Sequence, residues 1–327
     1  MLKAIFFFAI GLVLLIFGGD WFVDGATGIA KKFHIPDLLI GATVVSIGTT
    51  LPEVMVSATG ALQGHSQIAY GNAIGSVICN TALICAITVA VKPSKVEKKT
   101  LIIPVAFFFV TAGLYCVAAY NDGFYSRLEG VLLLSLFVAY ILLQVKQALK
   151  GKNDAVEEEE IEEEIEEVKD YPLWKDLLLL VIGAAAIAIG ADLLVDNGTL
   201  IAQGLGVPES VIALTFVALG TSLPELVTAI TALRKGHGLL SLGNIIGANI
   251  FNLALVSGVS VTLAPFIVPV DKLIFGLNAS LVFDIPIMLI VMIILTIPPL
   301  IKGKLFRWQG ILLLLIYVSY CVIQFGL

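Results

Sequence analysis

Charge is scarce in this sequence: Asp, Glu, Lys and Arg make up 13% of its 327 residues, against 59% apolar side chains. Soluble domains carry about 25% charged residues. A water-surrounded globule of this length is therefore excluded, and lipid is the solvent the composition fits. Cysteine is also rare. Cys79, Cys85, Cys116 and Cys321 fall in apolar stretches without paired spacing, which excludes a disulfide framework and leaves them as small apolar residues. His34, His65 and His237 are the only histidines and lie in predicted loops, so a Zn2+ or Cu+ centre is not expected. The H-E-x-x-H pair of an intramembrane metalloprotease is missing, and no nucleophile–base pair falls inside an apolar stretch. Neither catalytic machinery, a resident cofactor nor a nucleic-acid partner is expected.

Long apolar segments are what the chain has in abundance. About ten reach bilayer-crossing length, near residues 2–31, 36–62, 67–91, 100–119, 128–149, 173–204, 209–233, 239–263, 274–300 and 306–326. The first is too long for a signal peptide and has no cleavage site. With the N-terminus outside, the cytoplasmic loops hold 16 of the 19 Lys and Arg residues, leaving Lys3, Arg127 and Lys272 outside. This bias places both termini outside a plasma (inner) membrane. The net charge of −6 arises from residues 151–170, which contain eleven acidic residues and two lysines. Glu157–Glu160, Glu162–Glu164 and Glu166–Glu167 form like-charge runs that read as a solvated tether without the spacing of a formed Ca2+ loop.

An offset of 172 carries Gly18, Asp20 and Asp24 onto Gly190, Asp192 and Asp196, and Pro36 and Thr43 onto Pro208 and Thr215. It maps Gly48-Thr49 onto Gly220-Thr221, Leu51-Pro52-Glu53 onto Leu223-Pro224-Glu225, and Gly64-His65 onto Gly236-His237. Gly71-Asn72, Gly75 and Asn80 continue it onto Gly243-Asn244, Gly247 and Asn252 without a gap. Each unit has five predicted spans, an odd number, so the second copy enters the membrane from the opposite side. The expected fold is all-α: ten transmembrane helices as two five-helix inverted repeats, residues 1–150 and 172–327, joined by an acidic cytoplasmic linker at 151–171. Secondary transporters use this plan and place the substrate at the midplane between repeats. A passive channel fits broken, inverted helices less well.

The second span of each repeat carries an expected interruption. Pro52 and Pro224 free the carbonyls of Gly48 and Gly220, and such groups persist at membrane depth only inside protein or beside a watery cavity. Glu53 and Glu225 follow the prolines, and no lysine or arginine lies at their depth. Intramembrane carboxylates are functional by default; the alternative is a protonated glutamate bonded to a neighbouring helix. Hydroxyls of Thr49, Thr50, Thr221 and Ser222 sit at the same level. In the third spans Asn72, Ser76 and Asn80 share a helix face, as do Asn244, Ala248 and Asn252, while Gly71, Gly75, Gly243 and Gly247 invite close helix packing. All these donors are oxygens, which suits a hard cation such as Ca2+ or a group of Na+ ions. Asp20, Asp24, Asp192 and Asp196 read as solvated helix ends, and His65 and His237 as ordinary loop residues.

The paired motifs Gly48–Glu53 with Gly71–Asn80, and Gly220–Glu225 with Gly243–Asn252, resemble those of the cation/Ca2+ exchanger superfamily, specifically prokaryotic Na+/Ca2+ exchangers. The resemblance covers all ten spans. It implies a central cluster of Glu53, Glu225, Asn80 and Asn252. It also implies flanking Na+ sites at Thr49, Thr50, Thr221, Ser222 and Ser76, with backbone carbonyls of Ser46 and Ala218 joining them. Ca2+ and Na+ would be the transported partners, competing for overlapping oxygens while the long first and sixth spans slide across the core. A Ca2+/H+ or other cation/H+ antiporter on the same scaffold is the alternative. Three positions depart from the pattern. Ala248 stands opposite Ser76, Val77 replaces an asparagine that Asn249 keeps, and Asn252 stands where some relatives have aspartate, which argues against K+ dependence.

Overall fold

A computed structural model describes residues 2–154, 171–205, 220–270, 273–274 and 276–326. Its helices are α1 (Leu2–Phe33), α2 (Asp37–Leu62), α3 (residues 66–91), α4 (Lys98–Asn121) and α5 (Arg127–Asp154), then α6 (Leu173–Gly204), α7 (Leu223–Arg234), α8 (Gly238–Leu263), α9 (Ser280–Lys302) and α10 (Arg307–Gly326). Nine of these, among the described residues, are long and apolar enough to cross a bilayer. The exception is α7, because much of the span expected at 209–233 lies outside the described residues. So does most of the acidic linker. The span expected at 274–300 starts later, because β3 (Leu273–Ile274) and β4 (Leu277–Asn278) pair as a short hairpin before it. A second ribbon pairs β1 (Phe124–Tyr125) with β2 (Phe266–Ile267) and ties the α4–α5 loop to the end of α8.

Helices α1 and α6 have 32 residues each, about 48 Å at 1.5 Å per residue, well beyond a bilayer core of about 30 Å. They pack against each other through glycine. A Cβ on Gly11 would come 2.9 Å from the Gly190 carbonyl, and one on Gly18 would come 3.1 Å from the Gly183 carbonyl. Low numbers on one helix meet high numbers on the other, so the two run antiparallel. Since α6 is the copy of α1 at the offset of 172, this contact displays the inversion of the repeat. Phe22, Val23, Ile187 and Ala191 belong to a small apolar cluster separate from the main core. The α1–α6 pair is thus a blade laid beside a body.

At the centre of that body is α8, where every residue from Leu240 to Phe251 is buried. Its glycines admit α2 at backbone distance. A Cβ on Gly243 would lie 2.1 Å from the Leu38 carbonyl, and one on Gly247 would lie 2.3 Å from Ser46 Oγ. This is the close approach expected of the second-repeat glycines. Gly71 and Gly75 meet no such neighbour among the described residues. Helical hydrogen bonding widens to π turns at Gly41–Val45, Asn80–Cys85, Asn252–Val256 and Ser280–Asp284. The second and third begin 172 residues apart, at the matching asparagines.

The packing predicts that Gly243→Ala forces α8 off α2 and destabilises the protein by about 1–3 kcal/mol, the usual cost of overpacking. Gly113→Ala, with nothing within 4 Å of its Cβ, should change stability little. Thermal unfolding of both variants in detergent checks this.

Candidate cation site

Glu53 and Glu225 have no exposed surface, and none of their four carboxyl oxygens has a hydrogen-bond partner among the described residues. They come from different repeats yet stand close enough to feel each other's charge. The local backbones differ. Glu225 occupies the first turn of α7, after the turn at Gly220–Ser222 and with Pro224 beside the helix start, where a missing N–H goes unnoticed. Pro52, by contrast, lies inside the continuous helix Ser46–Leu62. The expected break in the first repeat is therefore absent as a break, because the packed turns on either side hold the helix across the lost bond.

Further buried polar atoms have no hydrogen-bond partner among the described residues: the hydroxyls of Thr50 and Ser222, and both amide atoms of Asn80 and Asn252. All four residues are at most 2% exposed. Buried polar groups are normally paired, so orphaned atoms on the matching motifs of both repeats point to a ligand-binding purpose. The asparagines open their π turns, a distortion frequent at functional sites. Ser257 donates to the Asn252 carbonyl at 3.1 Å, and Ser46 donates likewise to the Gly41 carbonyl at 2.8 Å.

A second set of residues holds the first in place. Thr49 donates to Asn244 Oδ1 at 3.3 Å, and Thr221 donates to Asn72 Oδ1 at 3.3 Å. The two bonds are images of one another at the offset of 172, and each joins one repeat to the other. Asn72 donates onward to the Glu53 carbonyl at 3.2 Å and to Ser57 at 2.8 Å. Ser46 Oγ lies 2.9 Å from the Asn244 carbonyl and 3.2 Å from its Oδ1, and the Ser46 carbonyl is 3.5 Å from Thr49 Oγ1. Within the third-span stripe, Asn72 and Asn244 therefore brace the site, whereas Asn80 and Asn252 keep free amides. Ser76 is buried, its counterpart Ala248 offers only a methyl group, and Ala218 lies outside the described residues.

Two contributions escaped the sequence reading, and a third was noted there only as a motif residue. Thr228, buried and unpartnered, sits three residues after Glu225, a helical spacing that could have revealed it. Ser57 anchors Asn72, and Ala229 stands in its place in the second repeat, where Asn244 Nδ2 has no partner. Asn249 donates to Thr81 at 2.7 Å and to Met292 Sδ at 3.2 Å, a knot with no mirror because Val77 and Leu253 occupy the equivalent positions. Among the described residues, no group of three or more His, Cys, Asp or Glu side chains forms a metal cluster. The donor set is two carboxylates plus neutral oxygens, which fits a hard cation.

Several weaker expectations are corrected. His237 is no ordinary loop residue: its buried ring meets Asp37 Oδ2 at 2.7 Å, pinning the start of α8 to that of α2. Asp20 and Asp24 are not simply solvated, since they pair with Arg234 and Lys235. Asp192 and Asp196 are exposed, as expected.

The anchor at Asn72 yields a prediction. Ser57→Ala removes one of its two acceptors and should lower stability by about 0.5–1.5 kcal/mol, read as a reduced melting temperature in detergent.

Comparisons with known proteins follow the geometry. The sequence profile of the family described as sodium/calcium exchanger protein matches residues 3–146 and again residues 175–326. The sodium/calcium exchanger MaX1 of Methanosarcina acetivorans is 33% identical over 346 residues, covering 97% of both chains. The inner membrane protein YrbG of Escherichia coli is 36% identical over 265 residues, 81% of each. The structure of the sodium-calcium exchanger NCX_Mj soaked with 2.5 mM Na+ and 10 mM Sr2+ superimposes with a TM-score of 0.80 at 32% identity, covering 99% of this chain and 98% of that one.

Proposed function

The chain belongs to the sodium/calcium exchanger family, and from that premise we propose that it is an antiporter exchanging Ca2+ for Na+ by alternating access. The observation that carries this reading is the pair of fully buried carboxyl groups of Glu53 and Glu225, without hydrogen-bond partners among the described residues, together with the equally buried and unpartnered Thr50, Ser222, Asn80 and Asn252. Two carboxylates bring a charge of −2, which one Ca2+ neutralises while taking 6–8 oxygen ligands. Asn80 and Asn252 supply amide oxygens beside them. Thr49, Thr50, Thr221, Ser222 and Ser76, with the carbonyls of Ser46 and Ala218, offer hydroxyl and carbonyl oxygens to flanking Na+ ions.

Exchange follows from this economy of charge. Unscreened carboxylates at membrane depth are costly, so a site emptied of Ca2+ is best crossed with Na+ in its place. Occupation by one cargo then excludes the other. Support for the pair of ions comes from MaX1, named a sodium/calcium exchanger, and from NCX_Mj, soaked with Na+ together with Sr2+ or Ca2+. In our reading the halves are residues 1–150 and 172–327, joined by the acidic tether at 151–171. Lys32, Arg234 and Lys235 face the cytoplasm, both termini lie outside, and the membrane is the plasma (inner) membrane, as for YrbG.

Glu53→Gln and Glu225→Gln should each nearly abolish exchange in folded protein, because removing one partner of a buried charged site costs about 3–5 kcal/mol. The measurement is 45Ca2+ uptake into proteoliposomes under an outward Na+ gradient, compared with an outward H+ gradient. Wild-type flux in either folded mutant would sink the assignment, and uptake driven by H+ alone would make protons the counter-ion.

Ala248→Ser restores the hydroxyl that Ser76 provides in the other repeat. It should tighten Na+ competition with little change in Ca2+ affinity, and Ser76→Ala should weaken that competition by about 0.5–1.5 kcal/mol. The Na+ concentration that halves Ca2+ uptake reports both.

A further inference from the structure

An inverted repeat predicts that whatever fastens one end of the molecule has a mirror image at the other, and here it does not. At the end carrying the positive charge, Asp20 pairs with Arg234 and lies 3.7 Å from Lys235, and Asp24 meets Lys235 at 2.5 Å. Lys32 reaches the fully buried Asp176 at 2.5 Å. The first group joins the blade helix α1 to α7 of the body, and the last joins α1 to α6. Mapped through the offset of 172, Arg234 and Lys235 become Leu62 and Gln63, while Lys32 and Asp176 become Gly204 and Ala4. Asp192 and Asp196, the images of Asp20 and Asp24, meet no cation among the described residues.

The same asymmetry runs through the packing. At the charged end α1 lies so close to α7 that a Cβ on Gly19 would come 2.7 Å from Thr231 Oγ1; the mirror position is Ala191, whose methyl group is already in place. Between Asp20 and Asp24 on α1, the Phe22 ring lies over Gly48, where a Cβ would come 2.9 Å from it. It also helps line the small cavity beside Thr49, Pro52 and Pro224. The ion pairs therefore flank the stretch of α1 that carries Phe22.

We infer that Asp20, Asp24, Arg234 and Lys235 are positioning residues that clasp the blade to the body at the charged end, favouring the conformation closed on that side, while Lys32 and Asp176 fasten α1 to α6 within the blade. This rests on the exchange reading. A transporter whose two access states differ in population shows it as unequal apparent affinities at its two faces, since the measured constant is the intrinsic one divided by the competent fraction.

The test measures half-saturating Ca2+ at each face in right-side-out and inside-out vesicles. Asp20→Asn with Asp24→Asn should lower the value at the charged face and raise it at the other, each by at least about threefold, and more at low ionic strength. Asp24→Lys with Lys235→Asp should move both values back toward wild type. Leu62→Arg with Gln63→Lys, which builds the missing clasp opposite Asp192 and Asp196, should shift both in the same sense as Asp20→Asn with Asp24→Asn, because closing the far end also favours opening at the charged one. Changes in the same direction at both faces, or none, overturn the clasp. Wild-type exchange in the same vesicles separates the readings: exchange with unmoved affinities refutes the clasp alone, whereas a wild type that carries no Ca2+ refutes the reading on which it rests.

Discussion

Two buried carboxyl groups, with no cationic side chain among the described residues to answer them, set the terms for the whole fold. Water solves such a problem at a protein surface; at membrane depth only protein atoms and cargo remain. The helices nearest Glu53 and Glu225 therefore supply oxygens where an apolar core would supply methyl groups. Bringing those oxygens together from two repeats requires helices to approach at backbone distance. That requirement places glycine at Gly41, Gly243 and Gly247, where a Cβ would strike the facing backbone or Ser46. The bracing amides of Asn72 and Asn244 serve the same end: each is held from across the repeat boundary, so that the free amides about two turns on keep their aim.

Much of this was legible in the sequence because a bilayer makes demands that composition and spacing record directly. Apolar runs of bilayer length and the repeat offset gave the helices and their inversion. The uncompensated Glu53 and Glu225 of the sequence are two fully buried carboxyl groups in the fold. What stayed hidden depends on contacts between residues about 200 positions apart. No spacing rule links His237 to Asp37 or Arg234 to Asp20, and each is an exposed loop residue or helix end until the fold is known. Pro52 misled for a related reason. A proline's local effect is read from sequence, but whether the helix breaks depends on the packing around it, and the two copies of one motif resolved that question differently. The roles of Asn72 and Asn80 were likewise inseparable on a helical wheel, since only neighbours distinguish a brace from a ligand.

The repeats have diverged more in their supports than in their centres. Glu, Pro and the paired asparagines are matched at the offset, while Ser57 faces Ala229, Ser76 faces Ala248 and Val77 faces Asn249. Each exchange trades a polar contact for an apolar one on one side only. The central chemistry tolerates no such trade, since losing a carboxylate changes the charge that any cargo must balance. The surroundings can drift, and in drifting they make the two halves mechanically unequal.

The glycine faces of α1 and α6 carry a consequence of another kind. Helices usually interlock through rows of side chains, ridges seated in grooves, and the teeth fix both crossing angle and axial position. Where Gly11 meets Gly190 and Gly18 meets Gly183, the teeth have been filed off and backbone bears on backbone. Such a bearing resists separation but offers little resistance to travel along its length. Axial position then has to be set from outside the contact, by whatever grips the ends of the shaft.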